Sequence, residues 1–166
     1  MNKIIQGDCL EKLKELEDNL IDLTVTSPPY DNLRTYNGYT FNFEGISKEL
    51  YRVTKQGGVV VWVVGDATIN GSETGTSFKQ ALYFKEIGFN LHDTMIYQKS
   101  CYVPKTHNRY EQEFEYMFVF SKGKPKIFNP KMKTNLLKIG DTTGRHTQAN
   151  GSKKKLSAKR KEKSIE

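Results

Sequence analysis

Residues 20–30 of the sequence, LIDLTVTSPPY, place two adjacent prolines directly after an apolar-rich run. The run at 20–26 predicts a buried β-strand. The prolines end it, because proline fixes φ and cannot continue a hydrogen-bonded ladder. The simplest interpretation of Ser27-Pro28-Pro29-Tyr30 is a rigid turn. The alternative is a site in which a hydroxyl and a carbonyl are held still beside an aromatic ring.

Outward from this stretch, apolar periodicity predicts strands and helices in alternation. Strands are expected at 3–6, 20–26, 59–64, 91–98 and 114–120. Helices are expected after Asp8, at 43–55 and at 77–87, the second of them ended by Gly57 and Gly58. The valine-rich run at 59–64 is typical of a central parallel strand with both faces covered. This order predicts an α/β fold of about five strands and three helices.

Polar residues follow three of the predicted strands. They are Gly7-Asp8, Ser27-Pro28-Pro29-Tyr30 and Gly65-Asp66. In parallel α/β sheets, ligands bind beyond the carboxyl ends of the strands. We therefore expect these three segments to converge on one rim of the sheet and to form the functional site.

Composition indicates a single cytoplasmic domain. The chain has 166 residues, no signal peptide, and no run near the about 20 apolar residues of a membrane helix. Cys9 and Cys101 form no CxxC pair, which favours a reducing compartment. The three histidines are scattered, so we expect no metal site.

Charge divides the chain into two parts. Residues 1–121 hold 12 Lys and Arg against 16 Asp and Glu, a balance of −4. Residues 122–166 hold 14 against 3, a balance of +11, and the segment at 152–164, SKKKLSAKRKEKS, is of low complexity. A basic tail of this kind either contacts nucleic-acid phosphates or is a solvated, disordered segment with no partner.

Several motifs together resemble the DNA amino-methyltransferases, the N4-cytosine and N6-adenine class. The catalytic motif of that family is D/S/N-P-P-Y/F/W after a hydrophobic strand, which Ser27-Pro28-Pro29-Tyr30 matches. Further segments match the family in order over roughly residues 3–125: Gly7-Asp8-Cys9-Leu10, Lys55-Gln56-Gly57-Gly58, Gly88-Phe89, and Glu115-Tyr116 to Lys122. The resemblance implies a Rossmann-like class I methyltransferase core that uses S-adenosyl-L-methionine and takes double-stranded DNA, with the target base flipped out, as its partner.

The chemistry of the motif can be argued from its residues. An exocyclic amine on a base is a poor nucleophile because its lone pair is delocalised, and acceptors that take its protons favour an sp3-like nitrogen. The Ser27 hydroxyl and the Pro28 carbonyl are such acceptors, Pro29 stiffens them, and the Tyr30 ring can stack on a flipped base. Serine at the first position favours N4 of cytosine over N6 of adenine. Methylation at C5 is rejected because neither cysteine follows a proline.

Other candidates have two interpretations each. Asp8 is a helix N-cap and, by the resemblance, also binds the cofactor adenine together with the Cys9 backbone. Asp66 is either a solvated loop residue or a border of the base pocket. The loop that carries Arg34, Tyr36 and Tyr39 either closes over the flipped base or is a simple surface loop. Arg109 and Tyr110 are interpreted as edge-strand residues.

One part of the family pattern is missing. No segment of the form D-P-F-x-G-S-G-T, the glycine-rich cofactor motif, occurs in the chain. We therefore interpret 1–125 as the catalytic part of a permuted methyltransferase, and 126–166 as the start of its target-recognition region. By the family's topology the sheet would then have a gap or an exposed edge, which is an aggregation hazard. A second polypeptide supplies the missing half, or the chain is a fragment, or the gene is degraded into a non-catalytic nucleic-acid-binding remnant.

Overall fold

A computed structural model describes residues 2–29, 40–100 and 109–129, together with the backbone of 145–147 and 153–155. Some residues singled out in the sequence fall outside these ranges. They are Tyr30, Arg34, Tyr36, Tyr39, Cys101 and His107.

The first element is a short helix, α1, spanning Cys9–Lys14. Asp8 caps it, since its carboxylate accepts hydrogen bonds from the backbone N–H groups of Leu10 at 3.0 Å and Glu11 at 3.1 Å. Residues 2–6 are exposed and form no strand, so the prediction of a strand at 3–6 is wrong. An apolar run becomes a strand only where a neighbouring strand takes its backbone hydrogen bonds. No strand among the described residues does so here.

Strand β1, Ile21–Thr26, pairs in parallel with strand β2, Thr54–Val64, and helix α2, Phe43–Val53, lies between them in the chain. The prediction that α2 continues to 55 and ends at glycine is wrong. Thr54 ends it, because its backbone is already extended at φ −72° and ψ 130°. The Thr54 hydroxyl donates to the Leu50 carbonyl at 2.6 Å. Gly57, at φ +82°, instead lies in β2 where the register with β1 shifts. A positive φ there favours glycine.

Arg52 joins α1 to α2. Its guanidinium donates to the carbonyl of Leu13, in the last turn of α1, at 2.9 Å and to the carbonyl of Leu16, two residues beyond the helix, at 2.8 Å. It also forms salt bridges with Glu49 and Asp18. The hydrogen bonds to Glu49 and then Asp18 raise the pKa of Arg52 above its ordinary value. The position of α1, and of Asp8 at its start, therefore depends on this side chain.

The region 66–75 contains a small hairpin. Strands β3, Thr68–Ile69, and β4, Ser72–Glu73, pair in antiparallel fashion. Asn70 and Gly71 between them both have positive φ, as a tight two-residue hairpin turn requires. Helix α3, Thr76–Glu86, follows.

Strands β5, Asn90–Gln98, and β6, Phe114–Ser121, complete the main sheet, whose order is β1-β2-β6-β5. β6 is antiparallel to both neighbours and lies between them, although it is the last of these four strands in the chain. The α/β class and the three helices are confirmed, with four strands in place of about five. β1 is an edge strand of this sheet among the described strands, and the gap or exposed edge expected from the family's topology stays a prediction.

One face of the sheet carries the core. Val60, Trp62 and Val64 of β2 point to this face, and Phe118 and Phe120 lie opposite them on β6. Residues of α2 and α3 pack on them, and Leu10 and Leu13 of α1 join the same cluster. All three helices of the described chain therefore lie on this face, which we call the covered face.

The opposite face is apolar but has no helix on it in the part of the chain that is described. The alternate residues of β2 (Val59, Val61 and Val63) and of β6 (Met117 and Val119) are half-buried. The edge strands are more exposed, with Leu23 at 58%, Val25 at 65% and Met95 at 47%. We call this the open face. The prediction that β2 is a central parallel strand is confirmed for its pairing with β1, whereas β6 is antiparallel to it. No described helix covers its open face, so coverage of both faces stays a prediction.

The chain divides into two compact units, residues 1–128 and residues 129–166. In the second unit, β7, Arg145–Thr147, pairs in antiparallel fashion with β8, Lys153–Lys155. The prediction of disorder for the basic segment is thus wrong for 153–155, and its remainder lies outside the described residues. The division of the chain at 125 into a catalytic part and a recognition region stays a prediction.

Candidate active site

The first three residues of the predicted catalytic motif lie at the carboxyl end of β1. Pro28 is buried and Pro29 half-buried, whereas Ser27 is exposed. The buried proline ring anchors a backbone whose φ is already fixed. Ser27 is therefore an exposed residue on a stiff support.

Aromatic packing supports this end of β1. Thr26, the last residue of β1, pairs with Trp62, which is only 1% exposed. The Trp62 ring contacts Phe41, Phe43 and Phe84, with centroids 6.4, 6.0 and 5.0 Å away. Phe41 follows closely after the segment 30–39 in the chain. The residues on both sides of the segment 30–39 are therefore anchored near Trp62.

Trp62 also makes a buried polar contact. Its indole N–H donates to the side-chain oxygen of Gln80 on α3, at 2.8 Å. A buried indole N–H is costly to leave unpaired, so this bond fixes both side chains. The sequence argument missed the pair. The signal was the single tryptophan of the chain inside a run of valines, which needs a polar partner when buried.

Asp66 lies beyond the end of β2, on the same rim as Ser27 because β1 and β2 are parallel. Its carboxylate accepts hydrogen bonds from the Ser77 backbone N–H at 2.9 Å and the Ser77 hydroxyl at 2.5 Å. Thr74 donates at 3.4 Å. Gly75, the N-cap of α3, has no side chain to offer, so Asp66 performs that function from the rim. Its interpretation as a merely solvated loop residue is wrong, and its place beside a base pocket stays a prediction.

Arg109 and Tyr110 are not strand residues, because β6 begins only at Phe114. Arg109 donates a hydrogen bond to the carbonyl of Gly71 in the turn between β3 and β4. The edge-strand interpretation is therefore wrong for both residues. Arg109 joins the segment before β6 to the hairpin after β2.

Asp8 and Cys9 do not follow a strand, so the convergence of three strand ends is wrong for this pair. Asp8 is the N-cap described above, as predicted, and Cys9 is exposed at the first position of α1. Ser27 and Asp66 are the two predicted residues that the parallel strands bring to one rim. The described residues contain no cluster of three His, Cys, Asp or Glu side chains suited to a metal. Among them, too, no helix has the length and apolarity to cross a membrane.

A family described as DNA methylase, covering N6 and N4 methyltransferases, matches residues 21–165 of the chain. The chain belongs to the DNA amino-methyltransferase family. The match covers the whole Ser27-Pro28-Pro29-Tyr30 motif and begins after Asp8 and Cys9. The family assignment therefore rests on β1 and the chain after it, and not on α1.

Individual methyltransferases agree with this assignment. The orphan methyltransferase M.BamHII of Bacillus amyloliquefaciens is 71% identical over 116 residues, which are 70% of this chain and 44% of that protein. Two solved structures share the fold: PvuII DNA methyltransferase, which is cytosine-N4-specific, and M1.HpyAVI in complex with SAM. Each gives a TM-score of 0.58, at 23% and 22% identity, over 72% and 82% of this chain and 49% and 63% of theirs. The chain thus spans about half the length of the methyltransferases it matches, and its fold is part of a class I methyltransferase.

Proposed function

We propose that this chain carries the catalytic part of a DNA methyltransferase that moves a methyl group from S-adenosyl-L-methionine to an exocyclic amine of a base. The observation that carries the proposal is the motif at the end of β1, with Pro28 buried and Ser27 exposed on the same rim as Asp66. It lies inside the 21–165 stretch that matches the methylase family.

The residues of the motif prepare the amine. S-adenosyl-L-methionine, when bound, supplies a methyl group on a positively charged sulfur. The Ser27 hydroxyl oxygen and the Pro28 carbonyl accept hydrogen bonds from the two amine N–H groups, which directs the nitrogen lone pair away from the base ring. Transfer would form a nitrogen–carbon bond and break the carbon–sulfur bond of the bound cofactor, and the amine would lose one proton to solvent. We propose that the Tyr30 ring stacks on the flipped base. Removal of this ring should cost about 1–3 kcal/mol of stacking free energy.

We assign the target amine to N4 of cytosine in preference to N6 of adenine. The argument is the serine at the first motif position. Both amines need the same acceptors, so product analysis must separate them. Nuclease digestion of methylated DNA and then mass spectrometry would identify N4-methylcytosine, and N6-methyladenine would contradict the assignment.

Asp8 and the Cys9 backbone are proposed to hold the adenine of the cofactor. Both are at the exposed start of α1, and Arg52 anchors that helix. An Asp8→Asn variant keeps a side-chain oxygen that can cap the helix but lacks a carboxylate. It should therefore fold normally and bind S-adenosyl-L-methionine more weakly in the complete enzyme. Unchanged cofactor affinity would remove Asp8 from the site.

The basic segment at 122–166 is proposed to contact DNA phosphates. A few such contacts give a dissociation constant of roughly 10⁻⁴–10⁻⁶ M, and the affinity falls steeply with salt. We expect the chain alone to bind DNA weakly without methylating it, since the glycine-rich cofactor motif is absent from its sequence. Deletion of 151–166 should remove most of the salt dependence, and salt-independent binding would contradict this part of the proposal.

A rival proposal is a non-catalytic DNA-binding remnant of such an enzyme, favoured by the absent glycine motif. Transfer of radiolabelled methyl groups to DNA separates the two. The chain should be tested alone and mixed with the part of M.BamHII beyond the aligned region. Transfer in the mixture, lost in Ser27→Ala and kept in the control Ser72→Ala on the exposed hairpin, supports the enzyme. No transfer in the mixture, with the halves shown to associate, supports the remnant.

A further inference from the structure

Helix α1 has little stability of its own. It has six residues, and none of them is buried. Isolated helices shorter than about 12–15 residues are marginal in water. The ion pairs of the helix, such as Lys12 with Glu15, are exposed and lie within the same segment, so they do not attach it to the rest of the chain. Contacts from outside must therefore hold α1, and with it Asp8, in place.

Arg52, in the last turn of α2, provides such contacts with its whole guanidinium. A guanidinium has five N–H groups, and the Arg52 side chain makes five hydrogen bonds. Two of them go to the backbone carbonyls of Leu13 and Leu16, and one goes to Asp18. The Nε and Nη2 groups both donate to Oε2 of Glu49, at 2.9 and 2.7 Å. Glu49 therefore fixes the direction of a side chain whose far end holds α1.

The backbone of Arg52 holds the segment that follows α1. Its carbonyl accepts a hydrogen bond from the backbone N–H of Asn19 at 3.0 Å. Leu10 and Leu13 add apolar contacts between α1 and the core of the covered face. Apolar contact is not directional, whereas hydrogen bonds to the carbonyls of a helix fix where its end lies. The direction of α1 therefore depends on Arg52.

We propose that Arg52 is a positioning residue for the cofactor, because by fixing α1 it keeps Asp8 and the Cys9 backbone in the arrangement that binds adenine. This inference rests on the adenine-binding role proposed above for those two residues. Leu13 comes five residues after Asp8, which is about 8 Å along a helix. Arg52 thus acts through the helix and not by contact with the cofactor. A lysine cannot replace it fully, because an ammonium has only three N–H groups and no planar fork.

The test is a titration of the full chain with adenosine, which has the adenine of the cofactor and no methyl donor. NMR follows the amides of Leu10 and Glu11, which donate to the Asp8 carboxylate. Arg52→Gln should weaken adenosine binding by about tenfold, since the apparent affinity falls with the fraction of molecules in which α1 is held in place. Arg52→Lys should restore only part of the loss.

Lys55→Gln is the matched control. Lys55 of β2 forms a salt bridge with Asp22 of β1 at 2.6 Å, away from α1, so its loss should leave adenosine binding unchanged. Hydrogen exchange shows whether the effect of Arg52→Gln is local. The Lys12 amide, which donates to the Asp8 carbonyl, should exchange faster by the same factor as the affinity falls. The amides of β2 that pair with β6 should exchange at their normal rate.

Asp8→Asn separates the positioning role from the role of Asp8 itself. In a chain that already contains Asp8→Asn, Arg52→Gln should weaken adenosine binding little further, because both changes remove the same contact. Independent losses, normal affinity in Arg52→Gln, or equal weakening by Lys55→Gln would overturn the positioning role. Absence of adenosine binding by the unaltered chain would overturn it as well. Normal binding by Asp8→Asn would contradict the adenine-binding role of Asp8 and this inference with it. Methyl transfer, which tests the proposed function, does not enter any of these measurements.

Discussion

The two faces of the sheet use the same strands in opposite ways. On the covered face, Phe84 stacks on Phe120 at 4.4 Å and is fully buried. On the open face, Val25 and Leu23 are more than half exposed. Since neighbouring residues of one strand point to opposite faces, the difference arises from what packs above the sheet and not from the strands themselves. Stability of this chain should therefore depend on the covered face.

The largest effect should come from removing the ring at the centre of the covered face. Phe84 contacts Trp62, Phe89 and Phe120, so Phe84→Ala should destabilise the chain by about 3–5 kcal/mol through lost burial and a cavity. Phe78→Ala is the control, because Phe78 is on the same helix but 50% exposed. Equal losses in urea unfolding would contradict the assignment of the core to this face.

A substitution of Ser27, at the rim of the sheet, should change the methylation rate and not the stability of the chain. Ser27→Ala, tested in a complete assembly, should lower the methylation rate by about 10²–10³-fold, as removal of one preorganised hydrogen-bonding group typically does. DNA affinity should change little. The free energy of unfolding measured in urea should be almost unaffected, because Ser27 is exposed. A turnover that does not change would remove Ser27 from the mechanism.

A smaller loss is expected from the polar contact beneath the rim. Gln80→Leu leaves the Trp62 indole N–H without its acceptor in a buried position, at a cost of about 1–3 kcal/mol. Gln80→Glu retains an acceptor and provides the control, although it introduces a charge. Tryptophan fluorescence during urea unfolding gives the free energy of unfolding of both variants. If Gln80→Leu leaves this free energy unchanged, the contact makes no net contribution to stability.

The smallest and most direct comparison uses two adjacent valines of β2. Val60 is fully buried on the covered face and Val61 half-buried on the open face. Val60→Ala should cost about 2 kcal/mol and Val61→Ala under about 1 kcal/mol in the chain alone. Equal costs for the two variants would remove the distinction between the faces.

The sequence predicted the features that local patterns determine. The run at 20–26, the helical spacing through Ile46, Leu50 and Val53, and the valines of β2 all formed the expected elements. These patterns are short-range, and each carries its own periodicity. The α/β class was predicted from their order. The exposed edge was predicted from the family resemblance and stays a prediction.

The errors concern interactions that a local pattern does not contain. The residues at 3–6 have a strand-like composition but no neighbouring strand among the described residues, and Gly57 has a positive φ because of a register shift and not a helix end. The capping of α3 by Asp66 joins residues eleven positions apart across a hairpin. The antiparallel pairing of β2 with β6 depends on a strand that lies much later in the chain. At the site, Ser27 and Asp66 lie on one rim as expected, whereas Trp62 and Gln80 were found only in three dimensions.

The place of β6 has a consequence for how the protein is made on the ribosome. β2 and β5 are both complete by residue 98, but β6, which separates them in the sheet, ends only at residue 121. Until it emerges from the exit tunnel, the nascent chain holds strands whose neighbour has not been synthesised. Unpaired strand edges of this kind are prone to aggregate. Folding of the main sheet must therefore wait until residue 121 has emerged from the ribosome.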